Sequence, residues 1–129
     1  MAHPNEARLR QGYADFGRGD LEAYWRLCTD DFAFHVPGHN QVAGTHRGHD
    51  EFFAMIGKVM ALTGGQFEEI VEDVLANDEH GVVLVRHRFP RNGQPKEYRS
   101  AHVYNIRDGK LIECWEQPRD QAVFDDAWA

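Results

Sequence analysis

Three side chains in the second half of the chain carry the residue types that proton-transfer chemistry needs: His102, Glu116 and His87. His102 sits inside Lys96 to Ile106, where aromatic and β-branched residues alternate with polar ones at the period of a strand. Tyr98, Ser100, His102, Tyr104 and Ile106 then share one face. A histidine in the middle of a mostly aromatic face is either a core residue satisfied by a neighbouring hydroxyl such as Tyr13 or Tyr104, or a hydrogen-bond donor and general acid to a ligand oxygen. Burial would keep its ring neutral unless a carboxylate stood beside it. Glu116 is the carboxylate best placed to do so, as a general base or as the group that orients and charges His102.

Turn arithmetic decides which of these groups meet. Asn92-Gly93 reads as the centre of a type I′ hairpin, pairing Arg91 with Gln94. His87 then faces Tyr98, Val85 faces Ser100 and Val83 faces His102, all on one face. Along the strands His87 and His102 stand about 13 Å apart, too far for a direct hydrogen bond though not for a shared ligand. At the next turn a three-residue Arg107-Asp108-Gly109 loop with a bulge pairs Ile106 with Lys110. That register sets His102 opposite Cys114 and Glu116 diagonal to it. A two-residue turn would put Trp115 opposite His102 and turn Glu116 away. The bulged form is favoured, because Gly109 then supplies the left-handed residue that a bulge needs.

The other reactive-looking residues group less well. His35, His39, His46 and His49 match no metal-ligand spacing and read as a solvated loop, so no metal site is expected. Cys28 and Cys114 are two lone, distant cysteines and read as packed thiols of a reduced, cytoplasmic protein. No nucleophile elbow, phosphate loop or dinucleotide fingerprint is present, and no cofactor is implied.

The elements that must position these side chains follow from periodicity. A helix runs roughly from Glu6 to Gly17 behind an Asn5 cap, with Leu9, Tyr13 and Phe16 on one stripe. Asp20 caps a second helix, Leu21 to Cys28, carrying the core aromatics Tyr24 and Trp25. Phe32, Phe34 and Val36 alternate as a strand that ends at Pro37-Gly38. A third helix, about His49 to Leu62, presents Phe52, Phe53 and Ile56 on a broad apolar face. From Gln66 the period changes to two, giving strands at 66–76, 82–90, 96–107 and 110–118, and a short closing helix over 120–128. Helices followed by hairpins predict an α+β domain with its helices on one sheet face.

With 129 residues, 42% of them hydrophobic, the chain reads as one domain, residues 1–129, with a real core. A formal charge of −7 argues against nucleic acid or an anionic membrane as partner. No apolar run near 18 residues predicts a membrane-spanning helix or a signal peptide.

This order of elements resembles the nuclear-transport-factor-2-like superfamily, in particular its SnoaL-like and ketosteroid-isomerase-like members. The markers are Gly19-Asp20-Leu21-Glu22, Asp30-Asp31-Phe32, Phe34-His35-Val36-Pro37-Gly38, Ala43-Gly44-Thr45, Asn92-Gly93-Gln94-Pro95 and Asp108-Gly109-Lys110-Leu111-Ile112, and the resemblance covers nearly the whole chain. It implies a cone: a curved, mainly antiparallel sheet with three N-terminal helices on its concave face, enclosing an apolar pocket, often in a homodimer. A small apolar molecule in that pocket would meet Tyr13, Trp25, Phe34 and Val36, then Phe53 and Ile56 of the third helix, and Val83, Val85, Ser100 and Cys114 of the sheet. Simple ketosteroid isomerase activity is not implied. The general-base aspartate of those enzymes falls at Val36, the oxyanion tyrosine falls at Gly12 rather than Tyr13, and the second oxyanion donor falls at His102. The resemblance leaves open a cofactor-independent enzyme on a carbonyl- or epoxide-bearing molecule (isomerase, cyclase or hydrolase), a non-catalytic ligand-binding or dimerisation module, and an accessory subunit.

Overall fold

Apart from two strands at Cys28–Val36 and Gly44–Arg47 and a closing helix, the computed structural model, which describes residues 2–129, places its helices before Gln66 and its strands after it. The element order is α1 (Pro4–Gly17), α2 (Leu21–Trp25), β1 (Cys28–Val36), β2 (Gly44–Arg47), α3 (Gly48–Leu62), β3 (Glu68–Ala76), β4 (His80–Arg91), β5 (Gln94–Arg107), β6 (Lys110–Pro118) and α4 (Gln121–Ala127). The fold is α+β, with one curved, unclosed six-stranded sheet in the order β2-β1-β6-β5-β4-β3.

Local chemistry accounts for the helix ends. Pro4 occupies the first turn of α1, where its missing N–H costs nothing, and the His3 ring accepts from the Asn5 N–H. Asp20 and Asp120 cap α2 and α4 through their side chains. Leu9, Tyr13, Phe52, Met55, Ile56 and Val59 are the buried stripes of α1 and α3. Those of α1 pack against β3 and β4 and those of α3 against β1 and β2, over a sheet face where Val83 and Val85 are fully enclosed.

Several details depart from the sequence expectation. The polar histidine loop is partly ordered: Gly44–Arg47 is an edge strand paired antiparallel to β1, and His49 lies in the first turn of α3. Helix α2 stops at Trp25, and β1 begins at Cys28 and runs parallel to β6. That pairing joins residues far apart in sequence, which no local signal announces. Asn92 and Gly93 both have positive φ, as a type I′ turn demands.

The second hairpin is a correction. Asp108 and Gly109 also both have positive φ, Arg107 pairs with Lys110 and Ile106 with Leu111, so the turn has two residues. The extra residue lies inside β6 instead: between Asn105 and Ile106 the register shifts by one, and Ile112 has no partner across the ladder. A shift of one residue exchanges the two faces of a strand. Cys114 therefore faces Tyr104, and Glu116 faces His102 directly rather than diagonally. A matching bulge interrupts β3 at Glu72: Val71 pairs with Val85 but Asp73 with Leu84. Above it, Glu69 stands opposite His87.

Candidate functional site

The concave side of β3 to β6 and the buried stripes of α1 and α3 enclose an apolar cavity with about 70 Å³ of free space. Its lining includes Val42, Met55, Ile56 and Val59, then Phe34, Val36 and Phe52, and, at the end that α4 reaches, Phe67, Tyr98, Phe124 and Trp128. Helix α4 is held over that end by Arg91, whose guanidinium donates to the carbonyls of Ala127 and Ala129, both at 2.7 Å. The Trp128 indole N–H donates to the Tyr98 hydroxyl at 3.1 Å.

Polar groups enter this cavity almost entirely from the sheet. His102 is 4% exposed and Glu116 6%, and His102 Nε2–H donates to Glu116 Oε1 at 3.0 Å. Burial alone would push the imidazole down, but the charge and hydrogen bond of Glu116 outweigh it and the ring's pKa is raised. Burial likewise pushes the Glu116 carboxyl up, and the His102 ring more than offsets it, so the carboxyl is held below the usual range. Both directions favour an ion pair inside an apolar wall. The other His102 nitrogen, Nδ1, lies 2.6 Å from the Tyr13 hydroxyl. Tyr13 continues to the Tyr104 hydroxyl at 2.6 Å, and Tyr104 to that of Tyr24 at 2.8 Å. Burial raises all three phenol pKa values well above the usual range, so they remain protonated.

Both ring nitrogens of His102 are thus engaged by the protein. The buried side-chain atoms left without a partner among the described residues are Glu116 Oε2, His87 Nδ1, Ser100 Oγ and Arg86 Nε. A buried polar atom without a partner is costly, and of these only Glu116 Oε2 and His87 Nδ1 belong to side chains that line the cavity.

His87 corrects the distance expected from the strands. Its ring centroid lies 5.6 Å from that of His102, so the two side chains lean toward each other. Its Nε2–H donates to Glu69 Oε2 at 2.8 Å, and its ring stacks on Phe67 at 4.8 Å. Glu69, His87 and His102 each bring one potential ligand atom within 4.8 Å of the others. Ligands on one zinc-sized ion are each bonded at about 2.1 Å, so the three atoms would have to converge on a common point. His102 would also have to give up Tyr13 or Glu116 to join them.

Of the side chains expected at the site, Tyr13, Phe34, Val36, Ile56, His87, His102 and Glu116 line the cavity. Val83, Val85, Cys114 and Ser100 are buried without lining it: the first three are completely enclosed in the packing of the sheet's concave face. Trp25 and Phe53 point elsewhere, forming an aromatic cluster with His49 and Phe52. Gly12 packs against Leu27 and Tyr24, and Tyr13 is the residue of α1 that reaches His102. Sequence reasoning missed Glu69, Tyr24, Phe124 and Trp128. The Glu72 bulge conceals Glu69, since an unbroken alternation from Val74 would bring Ile70, not Glu69, opposite His87.

The outer face of the sheet holds different groups. His35 Nε2–H donates to Glu113 Oε2 at 2.6 Å, and its ring stacks on Trp115 at 5.2 Å. Leu84 is 37% exposed, and Val82, Val103 and Trp115 are half-buried.

Comparison with known proteins agrees with this architecture. Residues 9–114 match the SnoaL-like domain. The chain is 32% identical over 122 residues to uncharacterized protein Rv0034 of Mycobacterium tuberculosis, covering 94% of this chain and 93% of that one. Among solved structures it is similar to Bal32a, from a soil-derived mobile gene cassette, with TM-score 0.91 and 28% identity over 97% of this chain and 96% of that one. An NTF2-like protein from Burkholderia pseudomallei shares the fold, with TM-score 0.85 and 23% identity over 97% of each chain. A domain match across most of the chain identifies the protein as a member of the SnoaL-like family, and its curved sheet is the fold of these structures.

Proposed function

We propose that the protein is a cofactor-independent enzyme that moves a proton on a small apolar molecule bearing a carbonyl or an epoxide. The observation that supports this most strongly is the buried His102–Glu116 pair facing an otherwise apolar cavity. In this reading Glu116 is the general base: His102 holds its carboxylate ionised, and the free Oε2 is the atom that takes the ligand's proton. His102 is a positioning and charging group, since both its nitrogens are occupied. His87 offers a second polar contact through Nδ1. The missing base at Val36 is then replaced from the neighbouring strand, by β6 instead of β1.

A crystal soaked with a small cyclic ketone tests the reading. The expected result is ketone density in the cavity, with Glu116 Oε2 in contact with the carbon next to the carbonyl. Density confined to the outer sheet face contradicts it.

A second reading, a non-catalytic ligand-binding or dimerisation module, is favoured by the small free volume. About 70 Å³ is well below the roughly 300 Å³ at which drug-sized ligand pockets begin. The catalytic reading therefore requires Met55, Ile56 or Val59 to move when a ligand enters. As part of the same proposal, the domain spans residues 1–129, works in the cytoplasm and forms a homodimer through Val82, Leu84, Val103 and Trp115. No described helix is long and apolar enough to cross a membrane.

A further inference from the structure

The cavity contains two acid–histidine pairs, and the chain builds them in the same way. Glu116 lies directly across the ladder from His102, and Glu69 directly across from His87. In each case a one-residue bulge, at Ile112 in β6 and at Glu72 in β3, sets the parity that turns the carboxylate inward. Bulges commonly re-aim a side chain next to a site. The rings of the two histidines are 5.6 Å apart, and each pair keeps one unpartnered buried atom: Glu116 Oε2 and His87 Nδ1. His87 is 1% exposed and makes no other hydrogen bond, so packing alone does not explain a polar ring at this position.

We propose that Glu69 and His87 form a second ligand-binding pair, and that the ligand carries two oxygen functions on one edge of an apolar skeleton, one meeting Glu116 Oε2 and the other His87 Nδ1. The proposal rests on the reading of Glu116 as a ligand-facing carboxylate. An ionised carboxylate only accepts, so the ligand presents a hydroxyl there. Because His87 Nε2–H is committed to Glu69, Nδ1 of the neutral ring carries the lone pair. An acidic enol or phenol O–H breaks there, its electron pair stays on oxygen, and its proton forms the Nδ1–H bond. The resulting imidazolium is held between Glu69 and the ligand oxyanion. Glu69 is thus a positioning residue, and His87 the group that touches the ligand.

Two chromogenic probes separate the possibilities: 4-nitrophenol, with one hydroxyl, and 4-nitrocatechol, with two on adjacent carbons. Each is titrated into the whole protein and followed by calorimetry and by the absorbance change that marks phenol ionisation. The wild type is expected to bind 4-nitrocatechol about tenfold more tightly than 4-nitrophenol, one hydrogen bond's worth, and to bind it ionised. His87→Phe, which keeps the stacking on Phe67, should erase that preference. Glu69→Gln should leave both probes bound but abolish the absorbance change, a readout that a merely structural role would not move. Should His87→Phe fail to fold, Glu69→Gln carries the test. An unchanged preference and unchanged absorbance in these variants overturn the second pair. If Glu116→Gln then still weakens both probes, the proposed function survives that failure. No binding of either probe to the wild type at millimolar concentration contradicts both.

Discussion

A carboxylate that is 6% exposed in an apolar wall stays ionised only beside a cation, because removing either partner of a buried pair strands the other. His102→Ala is therefore expected to destabilise the fold by about 3 kcal/mol near neutral pH, and adding Glu116→Gln should recover part of that loss. Urea unfolding of the two single variants and the double variant measures the coupling. The sign of the pH dependence follows from the two shifts. His102 is raised from 6.5, so its contribution is complete below that value and is lost as pH rises through its folded pKa. Glu116 is lowered from 4.5, so its contribution is complete above that value and is lost as pH falls through its folded pKa. Glu69, His87 and Tyr13 surround the same ring. The stability gap between wild type and the double variant should therefore be widest between pH 4.5 and 6.5 and narrow on both sides. A gap that grows steadily toward alkaline pH contradicts the charged pair.

At the scale of elements, two I′ turns and two bulges decide which side chains reach the cavity. Gly93→Ala is expected to cost about 1–2 kcal/mol through backbone strain at φ 76° alone, since nothing lies within 4 Å of the added carbon. Gly109→Ala should cost more, because its added carbon also meets the Arg8 guanidinium at 3.1 Å. Thermal melts of both variants check the order. The Asn92-Gly93 register was readable because turn chemistry and alternation agree there, and with it came the facing of His87, Val85 and Val83. The Asp108-Gly109 hairpin was readable only in its parity. Placing the extra residue in the turn or at Ile112 leaves Glu116 on the same face but moves its partner from Ser100 to His102. Glu69 was not readable, because Glu72 breaks an alternation that otherwise favours Ile70. Bulges and the parallel β1–β6 contact depend on tertiary packing, and period-two patterning carries no mark of them.

For the whole molecule, the outer sheet face is the remaining question of assembly. Leu84, Val82, Val103 and Trp115 form an apolar strip among charged neighbours such as Arg86, Arg99 and Glu97. Light scattering at micromolar concentration is expected to give a dimer, and Leu84→Glu a monomer with an intact fold; a monomeric wild type contradicts the interface. The central claim concerns the inner face: Glu116, held ionised by His102, removes a proton from a bound ligand. The most direct measurement is deuterium uptake, followed by NMR in deuterated buffer, at the carbon beside the carbonyl of a small cyclic ketone. The account predicts that the wild type accelerates this exchange over buffer and that Glu116→Gln lowers the acceleration by about 10²–10⁴-fold. Exchange at the buffer rate with the wild type, or an equal acceleration by Glu116→Gln, would contradict it.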